Sequence, residues 1–379
     1  MKATIIGGGI TGLTIAVGLQ KAGHDFAIYE TAEAFKPIGA GIILSPNALY
    51  VYDQLGLYEE LAELGHPLRF FNISDVQGKV IQENDTRFIL HGKPYASIGI
   101  HRGDLQRVLL SHIDKGKIHL GKLLEAVTAV SKDLHFKDGD TIRADYVLAC
   151  DGIHSAVRQS LFPKAKLRYS GQTCWRGVAD IDLSVFQLGS PAELWGNGLR
   201  FGYVPLGYNR VYWYGTAVSP PQQRDSDLQT TKQKLLAHYR SFAPFVHNII
   251  AATPAIMRHD LFDLSPIQTW TQGDFLLLGD AAHAMTPNLG QGAAQGIEDA
   301  WAIVKLLGQH PSHRAAFAAV QAARYEKANL VAKRSWQIGQ VTNWQNRLLC
   351  RLRNSLMSYA PKSAADTEKA RLFNVPAYL

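Results

Sequence analysis

The 379-residue sequence predicts an α/β chain in which a parallel sheet is interleaved with an antiparallel sheet and followed by helices. Three observations lead there. A strand, a glycine-rich turn and a helix open the chain. Strand-like runs that end in acidic residues recur far downstream. Between about residues 172 and 217 the pattern changes to short aromatic strands.

The opening strand, residues 3–6, meets the turn Gly7-Gly8-Gly9-Ile10-Thr11-Gly12, then a helix, a second strand at 26–29 and Glu30. Gly7 allows the sharp turn, Gly9 lets a pyrophosphate approach the backbone, and Gly12 lets the helix pack close to the strand. The amino end of that helix offers unpaired N–H groups to phosphates, and Glu30 is placed to accept from ribose hydroxyls. Ordinary tight strand-to-helix turns share the glycine pattern. Here the strand, helix and acid stand in register, which marks a Rossmann-like dinucleotide-binding start.

Next, residues 38–44 lead to Ser45 and Pro46, which suit the N-cap and first turn of a helix through Leu55. A strand at 98–101 precedes Arg102, and Leu105, Val108, Leu109 and Ile113 then follow helical spacing. Strands at 145–150 and 275–278 end in Asp151-Gly152 and Gly279-Asp280. Ligands of parallel α/β sheets gather at the carboxyl ends of strands, so Glu30, Asp151 and Asp280 are expected around one extended cofactor.

Strands at 199–205 and 210–217, joined by residues 206–209, form the heart of the antiparallel insert. Its aromatics, Trp195, Phe201, Tyr203, Tyr212, Trp213 and Tyr214, either wall a pocket for a flat ligand or pack one face of the sheet on its neighbours. Helices are expected at 228–242 and 244–252. From Ala315 the chain reads as mostly helical and basic, through Lys333, Arg334, Arg347, Arg351 and Arg353. Those charges suit a solvated helix face or a membrane-surface helix.

A hydrophobic fraction of 46% supplies a globular core. No apolar run of about 18 residues is present, so no membrane span is expected, and the chain reads as cytoplasmic. Cys150, Cys174 and Cys350 lie far apart without a CxxC pair, which argues against a disulfide framework or zinc cluster; no metal is expected. The net charge of +7 comes with no nucleic-acid motif. It is read as attraction for an anionic cofactor and substrate.

A second helix start follows Gly279-Asp280-Ala281-Ala282-His283, with Pro287, Gly290 and Gly292 before it. A helix N-terminus there would stabilise negative charge on a reduced isoalloxazine, with Asp280 on the ribityl hydroxyls. His283 is read as a supporting hydrogen-bonding group rather than a base.

Three motifs together, Gly7-x-Gly9-x-x-Gly12, the segment from Asp151 through Arg158, and Gly279 through Gly292, resemble the group A FAD-dependent aromatic hydroxylases of the para-hydroxybenzoate and salicylate hydroxylase type. The resemblance covers nearly the whole chain. It implies FAD-binding segments at 1–70, 100–165 and 266–330, a substrate domain at 71–99 and 166–265, and a C-terminal helical segment at 331–379. It further implies that Arg102 contacts FAD, that Asp151 and Gly152 serve the flavin and nicotinamide encounter, that Arg158 braces that motif, and that Pro287 lies beside the ring. The activity implied is NAD(P)H-dependent hydroxylation of a small aromatic or heteroaromatic substrate by dioxygen through a flavin hydroperoxide, with NAD(P)H a transient visitor.

Residues 196–214 resemble the FAD-dependent urate hydroxylase branch, which implies that Arg200 and Tyr212 face the substrate from neighbouring strands. With residues 206–209 turning the chain, the two are expected near the same level of the ladder and on the same face as the ring. Salicylate-like phenols, nitrogen heterocycles and larger polycyclic or isoprenoid substrates all remain open at this stage. So do an epoxidase, a flavin-dependent reductase, a ligand-sensing flavoprotein, and a monomer or homodimer.

Overall fold

The computed structural model describes residues 1–36, 40–182, 190–359 and 362–377. Ile38 and Gly39, read above as part of a glycine-bearing approach to Ser45, lie outside them.

The first sheet runs in the order Ile118–His119, Phe26–Tyr29, Ala3–Ile6, Tyr146–Ala149, Phe275–Leu277, Thr271–Gln272. All neighbours pair in parallel except the last two, which are antiparallel. The four central strands are buried along their whole length, as continuous apolar runs must be when helices cover both faces. Helices Ile10–Lys21 and Gly292–Gln309 pack together on one side, where Gly18 leaves room for Val304.

The second sheet has seven strands in the order Ile256–Leu264, Leu167–Asp180, Arg210–Val218, Leu199–Leu206, Ala192–Trp195, Phe70–Asp75, Val80–Asp85. Strict alternation divides its aromatics. Phe201, Tyr203, Trp213 and Trp175 pack under helices Leu228–His238 and Pro244–Ala252, whereas Trp195, Tyr212 and Tyr214 point to the opposite side and line a cavity. Both readings of the aromatic insert therefore hold, one for each face.

One expectation is corrected, and elements the sequence pattern did not mark are added. Ser45 does stand at the N-cap of Pro46–Gln54, but its hydroxyl caps no helix amide: it donates to Asn47 Oδ1 at 2.7 Å and accepts from Gln291 Nε2 at 3.0 Å. A meander of Leu124–Thr128, Asp133–Phe136 and Thr141–Arg143 and a hairpin of Phe88–Leu90 with Lys93–Tyr95 form additional sheets that the pattern did not announce. Cys150, Cys174 and Cys350 are all buried free thiols. The C-terminal helices are His313–Thr342, Arg347–Ser358 and Lys362–Phe373.

Candidate active site

Because Ala3–Ile6, Tyr146–Ala149 and Phe275–Leu277 are adjacent and parallel, residues 7–12, 150–152 and 278–280 emerge along one edge. Gly7 adopts φ +100°, and a Cβ there would collide with the Cys150 carbonyl of the neighbouring strand. At Gly12 a Cβ would collide with the Gly7 carbonyl oxygen, so the helix can approach only as glycine. Around Gly9 nothing lies within 4 Å of the Cβ position, and the residue faces the cavity. The helix it begins has no side-chain cap, leaving its first amides available to an anion. Glu30 accepts from Gly8 N–H at 2.6 Å and from Ala32 N–H at 2.9 Å, so its carboxylate also holds the glycine turn in shape.

Asp151 lies deep at the end of its strand. Its Oδ2 accepts from Val157 N–H at 3.2 Å, and its buried Oδ1 has no partner among the described residues. Burial pushes this carboxyl above its ordinary range. Arg158 is buried and ties this segment to the next, donating to the Ile153 carbonyl and, at 3.0 Å, to the Ala281 carbonyl. Asp280 is exposed to the cavity, whose walls hold off bulk water and raise its carboxyl against the pull of His283, Arg102 and Arg158. Arg102, at the start of helix Arg102–Ser111, is held by its amide on the Ala40 carbonyl at 2.9 Å and lines the same cavity.

Pro287 begins a 3₁₀ turn, Pro287–Leu289, and Gly290 follows in the left-handed region at φ +63°. Helix Gly292–Gln309 then starts with no side-chain cap and no acid in its first turn, so its amides also face the cavity unneutralised. Beneath it lies a network that periodicity could not reveal. His283 Nε2 meets Asp299 Oδ2 at 2.6 Å; the same oxygen accepts from Gly279 N–H at 2.9 Å, and Arg324 Nε donates to Asp299 Oδ1 at 2.8 Å. Arg324 also pairs with Glu298, which Asn47 and Lys327 reach at 2.6 Å each. Three of the ionic side chains, Glu298, Asp299 and Arg324, are fully buried. The clue was an excess of charge inside an otherwise apolar helical stretch.

Arg200 and Tyr212 do not sit at the same level. Arg200 pairs with Thr216 and Val204 with Tyr212, four residues apart on the ladder though on one face. Arg200 is 2% exposed and its guanidinium is spent inside the protein: 2.8 Å to Glu193 Oε1, 3.2 Å to Thr216 Oγ1 and 2.6 Å to Asn288 Oδ1. It therefore braces the Pro287–Leu289 turn from the antiparallel sheet. Tyr212 does line the cavity, packed so close to Gly41 that no Cβ fits between them. Burial pushes its hydroxyl up to about 12 despite the Arg176 guanidinium, so it stays neutral at physiological pH. Arg176 is the strand arginine that lines the cavity, and its buried Nε has no partner among the described residues. Strand alternation through Cys174, Arg176 and Val178 was the sequence signal for it.

The cavity measures about 1250 Å³ and runs from Gly9 and Asp280 past Arg176 and Tyr212 to the C-terminal helices. Residues 1–335 match the family described as FAD binding domain. The chain belongs to this family of FAD-dependent monooxygenases. The monooxygenase is 37% identical to Aurachin C monooxygenase/isomerase of Stigmatella aurantiaca, over 98% of this chain and 97% of that one. It is 32% identical to 2-heptyl-3-hydroxy-4(1H)-quinolone synthase of Pseudomonas aeruginosa, over 98% of each. FAD-dependent urate hydroxylase of Mycolicibacterium vanbaalenii is 33% identical, over 86% of this chain and 85% of that one. The crystal structure of Klebsiella pneumoniae HpxO complexed with FAD and uric acid superposes with a TM-score of 0.88 at 24% identity, covering 99% and 97% of the two chains, which shows the shared fold.

FAD is the cofactor of this monooxygenase, with NAD(P)H and dioxygen as co-substrates. The residues present fit it. Two uncapped helix N-termini and the open space at Gly9 and Gly290 border one cavity edge, and the partnerless Asp151 oxygen lies buried between the cavity-lining Cys150 and Gly152.

Proposed function

We propose that this monooxygenase hydroxylates a flat nitrogen heteroaromatic ring that carries an apolar tail, of the 2-alkyl-4-quinolone class. The observation that carries the reading is the shape of the cavity. Past the polar group of Arg176 and Tyr212 its wall gains a set of apolar residues, Ile338, Val341, Leu352, Leu356, Leu372 and Phe373, edged by Arg334, Glu368 and Lys369. A small polar purine or phenol leaves that wall uncovered, whereas an alkyl chain buries it at about 0.8 kcal/mol per methylene. The two relatives matched over 98% of the chain, one of them named for a heptyl quinolone, support the same class.

Bound FAD supplies the redox and oxygen-transfer chemistry. Gly9 with its helix, Glu30, Asp151, Arg102 and Asp280 are assigned to hold it; Gly7 and Gly12 shape the turn; Gly152 keeps the Asp151 segment free of a side chain. Gly290 and Gly292 carry amides that favour an anionic reduced ring, and Pro287, which has no N–H to donate, sets the turn beside it. Arg176 offers a donor to the ring carbonyl or its oxyanion, Tyr212 a neutral donor, and the aromatic walls exclude water. Arg200 is assigned a positioning role through Asn288. Residues 71–99 and 166–265 form the substrate side on this reading, and the protein works in the cytoplasm.

The test is substrate-stimulated NAD(P)H oxidation with oxygen-18 entering the product, run on 2-alkyl-4-quinolones of graded chain length, urate, 6-hydroxynicotinate and salicylate. The reading expects stimulation that grows with chain length. Turnover of urate or salicylate without turnover of any alkylquinolone overturns it. Arg176→Gln should keep FAD and lower affinity by about ten- to a hundredfold, the value of a charged hydrogen bond.

A further inference from the structure

Helix Arg347–Ser358 is built inside out. The arc that packs on the protein holds Cys350 and Arg353, both buried, while Leu348, Leu349, Leu352 and Leu356 are exposed at 72%, 44%, 54% and 65%. On a wheel of 100° per residue these four leucines, with Tyr359 just beyond, fall within one arc of about 100°. Arg347 and Arg351 occupy the neighbouring arc and are also exposed. An apolar stripe this continuous is normally covered. Trp344 and Tyr359, exposed at 37% and 83%, stand at its two ends.

Charge singles out the same region. From Lys327 to Ala365 the sequence has no Asp or Glu and seven Lys or Arg. With those seven set aside, 32 basic residues remain against 32 acidic, so this stretch carries the whole formal net charge of the chain. Lys327 and Arg353 are committed inside the protein, but Lys333, Arg347 and Arg351 are exposed. Leu352, Leu356 and Trp344 also line the cavity described above, so its wall runs out to solvent along this helix.

We propose that Arg347–Ser358 is a membrane-surface helix that seats the cavity mouth against an anionic lipid bilayer. Leucines enter the acyl boundary, Trp344 and Tyr359 lie at headgroup level, and Arg347 and Arg351 meet lipid phosphates. The helix lies on the membrane and does not span it: no helix among the described residues is long and apolar enough to cross one. The proposal goes beyond the substrate assignment and does not rest on it, since bilayer binding is read without substrate. A second copy of the chain would cover the leucines too, but the excess of arginine and lysine beside them favours an anionic surface over an equally basic partner.

The test is flotation of the FAD-loaded, full-length protein with vesicles of phosphatidylglycerol and phosphatidylcholine or of phosphatidylcholine alone. Wild type should float with the anionic vesicles and be released by salt. Leu348→Glu/Leu349→Glu, two exposed positions outside the cavity wall, should retain FAD and melting temperature and lose partitioning by about a hundredfold or more. Should that variant fold poorly, Arg347→Glu/Arg351→Glu tests the same face, with a loss of about fivefold for each arginine removed. Wild type that stays with the buffer, or binding unchanged in a folded variant, overturns the proposal. So does light scattering that shows a wild-type dimer split by the leucine variant with no vesicle binding, which would assign the face to a second copy.

Discussion

At the scale of single residues, the glycine turn separates two jobs that share one motif. Gly12 is required by the fold, because its Cβ would strike the Gly7 carbonyl oxygen; Gly9 has φ −74° and open space around it. Gly12→Ala should therefore lower the melting temperature of the cofactor-free protein as well as its flavin content. Gly9→Ala should leave the cofactor-free protein as stable as wild type and weaken FAD retention, read by flavin absorbance after gel filtration. Asp280 gives a pH signature. The cavity walls around it hold its folded carboxyl above the unfolded value, so the ionised form opposes folding at neutral pH, and that penalty vanishes below about pH 4, where both states are protonated. Asp280→Asn should raise the melting temperature of the cofactor-free protein at pH 7, with the gain fading toward pH 4, while FAD is held less tightly. A gain that persists at pH 4 would assign the effect to something other than the charge.

At the scale of elements, the amino end of Gly292–Gln309 is expected to tune the flavin. Its first turn has neither an acid nor a side-chain cap, so its partial positive charge is unspent. Gly290 sets the approach to it from the left-handed region, where a β-branched residue costs about 1–2 kcal/mol. Gly290→Val should tilt these amides away, lowering the reduction potential and slowing reduction by NAD(P)H while FAD stays bound at its adenosine end. A redox titration against a reference dye checks it; an unchanged potential removes this helix from the mechanism.

Across the whole molecule, the two sheets are joined by charged struts rather than by a shared core. Arg200 reaches from the antiparallel sheet to Asn288 beside Pro287, balanced by Glu193, which also accepts from Tyr214 Oη at 2.8 Å. Removing one partner of such a buried pair leaves the other charge stranded. Arg200→Gln should cost about 3–5 kcal/mol in denaturant unfolding, and adding Glu193→Gln should recover most of it. A stable Arg200→Gln protein with weakened substrate binding would return Arg200 to the substrate itself.

The nucleotide-binding half of the site was legible because its physics is local. A turn that excludes Cβ atoms, a helix that needs an uncapped amino end and an acid at a strand terminus each write themselves into a few consecutive residues, which is how 7–12, 151–158 and 279–292 could be read directly. Strand alternation likewise marked out the insert. What the sequence alone determined is thus the cofactor chemistry and the α/β order of the chain. Only the tertiary structure decided which side chains meet the substrate. Four residues of ladder separate Arg200 from Tyr212, and partners that the fold brings in, Glu193 and Asn288 for Arg200 and Asp299 for Arg324, consume charges that a sequence presents as free. Whether a guanidinium is a strut or a hand for ligand depends on partners such as Asp299 and Asn288, 25 and 88 residues from Arg324 and Arg200, and only folding brings those within 3 Å.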